Sequence, residues 1–94
     1  MKLAFEWDEV KAKSNLKKHK VSFEDGKTIF NDPFLFTFPD NVHSTNEERF
    51  INIGISASGQ ILVLTHTERK DKIRIINCRK ATARERRFYE EGIH

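Results

Sequence analysis

Apolar residues open the chain in a weak alternation, Leu3–Trp7, which predicts a short first strand. Asp8 is placed as an N-cap with Glu9 favoured in the first turn, and the spacing predicts a helix from about Glu9 to His19. That helix puts Ala12, Leu16 and His19 near one face and leaves Lys11, Lys13, Lys17 and Lys18 on the others. Ser22 opens a second helix, with Asp25 where a capping box carries Glu or Gln and with Phe23, Ile29 and Phe30 as its apolar face. Gly26 weakens this helix by up to ~1 kcal/mol relative to Ala. Asn31-Asp32-Pro33 ends it, because a residue before proline avoids the helical region.

From there the rhythm changes to period 2. Phe34, Phe36 and Phe38 share one strand face until Pro39-Asp40-Asn41 interrupts. Residues 47–57 read as a strand with Ile51, Ile53 and Ile55 pointing one way, and Ser58-Gly59 turns it into a hairpin with Gln60–Thr67. Ile61-Leu62-Val63-Leu64 is apolar on both faces, as in a central strand covered on both sides. A polar turn at Glu68–Asp71 leads to a last strand, Lys72–Arg79. Thr82 caps a C-terminal helix with Glu85 completing a capping box, Phe88 and Ile93 packing inward and Gly92 as a stop. The order β-α-α-β-β-β-β-α implies an antiparallel sheet with helices packed on it, the α+β class.

Length changes the picture only by making this one domain, residues 1–94. Eight Phe argue against disorder. The longest apolar run is far below the ~20 residues of a membrane span, and Met1-Lys2 is not followed by the apolar core of a secretory signal, so a cytoplasmic protein without membrane contact is expected. Cys78 is the only cysteine, which excludes an internal disulfide and suits a reducing compartment.

Charge is distributed unevenly. Residues 1–21 carry +3, residues 22–68 carry −5, and residues 69–89 carry +7. If the two basic ends fold side by side they form a patch that attracts phosphate; otherwise they are a solvated charged surface.

No pair of His or Cys has zinc-ligand spacing, the four Gly are scattered, and no Gly-x-Ser-x-Gly elbow occurs, so neither metal nor other cofactor is expected. Cys78, inside a strand, reads as a buried inert thiol rather than a nucleophile. Arg, Lys, His, Glu and Tyr remain, and RNA cleavage suits that set. RNA supplies its own nucleophile, the 2′-hydroxyl, and needs only proton transfer and a cation at the phosphate.

A set of fragments runs through nearly the whole chain: Phe5-Glu6-Trp7-Asp8, Lys11, Asn15, Lys18-His19, Val21-Ser22-Phe23-Glu24, Phe30-x-Asp32-Pro33, His43-Ser44, Glu47-x-Arg49, Ile53-Gly54, Ile73-Arg74-Ile75-Ile76-x-x-Arg79-Lys80-Ala81-Thr82, Glu85 and Tyr89. In this order and spacing they resemble the BrnT family of bacterial toxins from type II toxin–antitoxin operons. Asn77-Cys78 departs from the small Ser-Ala-like pair of that pattern. The resemblance implies a RelE-like fold and ribonuclease activity that inhibits translation. It also implies a DNA-binding, BrnA-like antitoxin that occludes the toxin and represses the shared operon, so that operator DNA is met only through the complex.

Within that frame the candidate catalytic residues are His43, Glu47, Arg49, Arg74, Arg79 and Tyr89, and the candidate RNA-binding residues are Lys17, Lys18, His19 and Lys80. Arg79 and Lys80 end the last strand beside the Thr82 cap, where Arg79 either holds a phosphate or closes a structural ion pair. Arg74 faces opposite to Ile73 and Ile75, toward RNA or toward Glu47 or Glu68. His43 is either a general acid–base or a turn histidine bonded to neighbouring backbone, and Glu47 either a base or the orienter of Arg49. Tyr89 serves the phosphate or simple packing. Lys17, Lys18 and His19 bind the RNA backbone or form a solvated helix face, and the Phe34/Phe36/Phe38 stripe is core or antitoxin contact before it is a base-stacking platform. Two other classes fit the same charge map: a non-catalytic nucleic-acid-binding module, and an interaction subunit inert without its partner.

Overall fold

The computed structural model describes residues 3–92. Its elements are β1 (Ala4–Glu6), α1 (Glu9–His19), α2 (Phe23–Gly26), a 3-10 turn (Lys27–Asn31), β2 (Phe36–Pro39), β3 (Arg49–Ile55), β4 (Ile61–Arg69), β5 (Lys72–Lys80) and α3 (Ala83–Glu91). The five strands form one sheet in the order β1-β5-β4-β3-β2. The expected element order holds, but the sheet is mixed: β2 to β5 are antiparallel, while β1 runs parallel to β5. A parallel neighbour requires a long crossover, and everything from α1 to β4 lies between the two strands.

The caps act as their chemistry dictates. Asp8 accepts from the amides of Val10 and Lys11, and Ser22 accepts from Asp25 N. Thr82 and Glu85 form a reciprocal capping box on α3. Lys20, in the left-handed region at φ 60°, ends α1 and returns its N–H to Leu16 O.

β4 is covered on both sides, as Ile61–Leu64 foretold. Leu62 and Leu64 join Val21, Phe23, Ile29, Ile75 and Cys78 beneath α1 and α2. Val63 points the other way, with Ile53 and Tyr89 beneath α3. Three expectations are corrected here. Leu16 is half-exposed and Asn15 is buried instead. Phe34 precedes β2, lies in a turn and is half-exposed, because Asp32 Oδ1 accepts its amide and holds an Asx turn. On α3 it is Tyr89 that enters the core, leaving Phe88 47% exposed, while Ile93 lies outside the described residues.

Gly26 is more than a helix weakness. A Cβ there would stand 2.8 Å from Cys78 Sγ and 3.3 Å from Leu64 Cδ1, so glycine is what lets α2 close against the sheet. No described helix is long and apolar enough to cross a membrane.

Candidate functional site

β1 pairs with Lys72, Ile73 and Arg74, so among the described residues the outer edge of β5 beyond Arg74 has no strand partner. The side chain of Asn15 on α1 supplies one. Its Nδ2 donates to Cys78 O at 2.7 Å and to Val21 O at 3.0 Å, and its Oδ1 accepts from Cys78 N at 3.1 Å. A carboxamide has the same donor and acceptor as a peptide, which is why it can replace a strand here. The contact fixes α1 beside β5.

The face of α1 turned to β5 is polar. Lys11, Ser14, Asn15, Lys18 and His19 follow the i, i+3, i+4, i+7, i+8 spacing of one helix stripe. They form one wall of an open cleft of about 380 Å³ whose other wall is Ile76, Asn77 and Arg79 of β5. The basic N-terminal and C-terminal segments therefore do fold side by side. Lys18, His19 and Arg79 of the expected set meet here. Lys11, Ser14, Asn15 and Asn77 are additions; the helix stripe spacing is a signal for the first three, and Asn77 on β5 has none.

Arg79 is held rigidly. Its two terminal nitrogens meet both carboxylate oxygens of Glu85 at 2.8 and 2.9 Å, a fork-on-fork pair. Glu85 Oε1 also accepts Thr82 N at 2.9 Å. The Arg79 bond holds the Glu85 carboxyl down at about 2, so it stays ionised. Arg79 thus makes the ion pair weighed for it and still lines the cleft.

A second group of cations lies on the same sheet face. Directly paired residues share a face, and the register aligns Arg49 with Thr67, Thr67 with Arg74, and Arg74 with Glu6. Arg74 faces away from buried Ile73 and Ile75 as expected, but its partner is Glu6, at 3.2 Å, rather than Glu47 or Glu68. Arg49 Nε is fully buried and, among the described residues, without a hydrogen-bond partner. Along β4 this row stands four residues from that of Arg79, about 13 Å. Between them Asn77 pairs with Thr65, and β5 carries a bulge opposite Thr65 and His66.

The other candidates sit elsewhere. His43 is exposed in the loop after β2 with Nδ1 on Asp40 Oδ2 at 2.9 Å, so its partner is a side chain, not backbone. Glu47 lies in the same loop, outside the cleft. Tyr89 is buried, and its hydroxyl donates to Asp32 Oδ2 at 2.5 Å. Burial and that bond raise the phenol to about 12, while Asp32 also accepts from Ile55 N. Lys17 is exposed off the α1 stripe, and Lys80 is exposed at the end of β5. Cys78 is buried and its thiol is pushed up to about 12, chiefly by burial, in keeping with an inert role. Among the described residues no group of three His, Cys, Asp or Glu converges in a way that could hold a metal ion.

A buried polar network that local sequence pattern does not signal lies on the other face of β4. His66, 2% exposed, is stacked on Phe50 and accepts through Nδ1 from Asn52 Nδ2 at 2.7 Å. Its second nitrogen then carries the proton toward Glu68, 3.4 Å away. Burial lowers its affinity for a second proton.

Three comparisons bear on this geometry. No curated protein matches the chain. A crystal structure of the Brucella abortus ribonuclease toxin BrnT superposes with a TM-score of 0.67, covering 86% of this chain and 99% of that one at 21% identity, which establishes a shared α+β fold. Residues 7–85 match the family described as "Ribonuclease toxin, BrnT, of type II toxin-antitoxin system". With Asn15, the α1 stripe, Arg74, Arg79 and the Thr82–Glu85 box all inside that span, the chain belongs to the BrnT family of ribonuclease toxins of type II toxin–antitoxin systems.

Proposed function

We propose that this protein is an endoribonuclease that cuts RNA without a metal ion, acts in the cytoplasm to halt translation, and binds its substrate in the cleft between α1 and β5. One observation carries the reading: Lys11, Lys18 and His19 from the start of the chain and Arg79 from its end line one cleft. A cleft walled by cations and neutral amides attracts a phosphodiester and repels a divalent cation.

The chemistry follows from these groups. A base removes the proton of the 2′-hydroxyl, whose oxygen attacks the adjacent phosphorus. The bond from phosphorus to the 5′-oxygen breaks, and an acid protonates that oxygen, leaving a 2′,3′-cyclic phosphate and a 5′-hydroxyl. Lys18 and the Arg79 N–H donors that Glu85 and Lys80 O leave free hold the phosphate as its charge grows; one well-placed donor of this kind contributes ~3–4 kcal/mol. Of the described histidines His19 alone lines the cleft, so it replaces His43 as the group that transfers protons. Arg49 and Arg74, both half-buried, lie along the same sheet face, where they meet the backbone of the RNA further on. Tyr89 and His43 are committed to Asp32 and Asp40 and serve the fold.

An antitoxin is the partner that a type II system implies. In this reading it resembles BrnA, covers the cleft, and brings the toxin to operator DNA through its own DNA-binding domain. The test is cleavage by the purified chain in EDTA of an RNA oligonucleotide and of its 2′-O-methyl counterpart. The expected result is cutting of the first alone, with cyclic phosphate ends. Cutting that needs added Mg²⁺, or that proceeds on the methylated strand, overturns the proposal.

A further inference from the structure

α3 crosses the sheet face from β5 to β2. At its first turn Glu85 grips Arg79, and at its far end the Phe88 ring lies 4.9 Å from that of Phe36 and 6.1 Å from that of Phe38. The register aligns Arg79 with Val63, Val63 with Ile53 and Ile53 with Phe36. The cleft arginine and the aromatic group thus stand three strand spacings apart, about 14 Å.

Phe88 has an unusual setting. It is 47% exposed, yet two rings beneath it fix its orientation. Arg84, at i−4, shares its side of the helix, Arg87 lies about a quarter turn round from it, and both are exposed. Glu90 and Glu91 follow directly, so the positive stretch stops at Phe88. A fixed, half-open ring flanked by guanidinium groups matches the chemistry of a nucleobase with its phosphates.

From this we propose that the exposed side of α3 is a second nucleic-acid contact. Phe88 stacks one base, Arg84 and Arg87 hold the flanking phosphates, and the strand runs between this side and the cleft. The preferred substrate is then single-stranded RNA, because bases in a duplex are already stacked and cannot reach the ring. This rests on the reading of the cleft as the RNA site.

The test is binding of a fluorescent 2′-O-methyl oligonucleotide of about eight residues, single-stranded or annealed to its complement, to the full chain. Phe88→Leu keeps apolar contact with Phe36 but removes the stacking face. It is expected to weaken the single strand about fivefold or more and to change duplex affinity less than twofold. Arg84→Gln with Arg87→Gln, on the solvent side, is expected to flatten the dependence of log affinity on log salt by about 0.7 per lost contact, and it serves if the leucine variant fails to fold. Unchanged single-strand affinity and slope in these variants overturns the proposal. So does a change only in self-association by sedimentation, which would make the patch a contact between copies. Lys11→Ala with Lys18→Ala is the control: if these also leave affinity unchanged, the cleft reading fails, whereas a loss confined to them removes only the α3 contact.

Discussion

Asn15 carries the joint on which the cleft depends, and replacing it gives a worked magnitude. Asn15→Ala removes two donated bonds and one accepted bond, all to backbone that is buried at Val21 and Cys78. A buried polar group left without a partner costs ~1–3 kcal/mol. Asn15 borders the cleft, so water can reach part of the vacated space, and the lower end of that range applies to each of the three groups. The expected loss is about 3 kcal/mol. At ~4–8 °C per kcal/mol for a domain of this size, melting falls by roughly 12–24 °C. Asn15→Asp separates hydrogen bonding from shape. The introduced carboxylate still accepts from Cys78 N, but it sets a negative oxygen where the amide faced two carbonyls. That carboxylate therefore takes up its proton more readily in the folded variant than in the unfolded chain. The variant is least stable at neutral pH, and its deficit against wild type narrows as pH falls toward about 4. Urea unfolding followed by circular dichroism at pH 7.5 and pH 5 measures both, with an unchanged slope confirming a pure stability effect. A loss below about 1 kcal/mol for Asn15→Ala, or an Asn15→Asp variant as stable as wild type at pH 7.5, would refute the strand-replacement argument.

Two further outcomes follow from the buried polar groups. Tyr89→Phe removes one hydrogen bond to the ionised Asp32 and should cost about 1.5–3 kcal/mol in urea unfolding while leaving RNA cleavage at the wild-type rate; a large loss of cleavage with stability intact would return Tyr89 to the catalytic set. His66 binds its second proton less readily when folded than at its ordinary value of 6.5, so the unfolded chain takes up protons first and stability falls as pH drops below that value. The slope contributed by this one group is at most ~1.4 kcal/mol per pH unit, and an unfolding free energy that His66→Gln leaves with the same pH dependence between 7 and 5 would contradict it.

Much of the fold was legible because local chemistry and pattern agreed. The Asp8, Ser22 and Thr82 caps, the Ser58-Gly59 hairpin and the doubly buried Ile61–Leu64 strand all rest on neighbours in sequence. What escaped depends on distant neighbours. The parallel pairing of β1 with β5 joins residues nearly seventy positions apart. Gly26 looks like a defect until Cys78 is seen against it. On α1 the apolar pattern favoured Leu16, but the helix meets a strand edge, whose free N–H and C=O call for an amide, so Asn15 is buried.

The candidate site was legible in part for the same reason. Charge placed cations at both ends of the chain, and of these Arg79 and Lys18, with His19, line one cleft. His43 and Tyr89 have chemistry that suits catalysis, but a side chain's partner is set by the fold, and theirs are Asp40 and Asp32. Lys11 and Asn77 are each ordinary in the sequence and enter the cleft only because α1 is laid beside β5.

The most direct measurement is RNA cleavage in EDTA by a chain carrying Lys11→Ala and Lys18→Ala, with its melting temperature taken in parallel. Both lysines are exposed, so melting should move by no more than a few degrees. Cleavage should fall at least tenfold, as removing two phosphate contacts from one cleft requires. Wild-type cleavage by this variant would contradict the account, since no cation pair drawn from α1 would then be gripping the substrate.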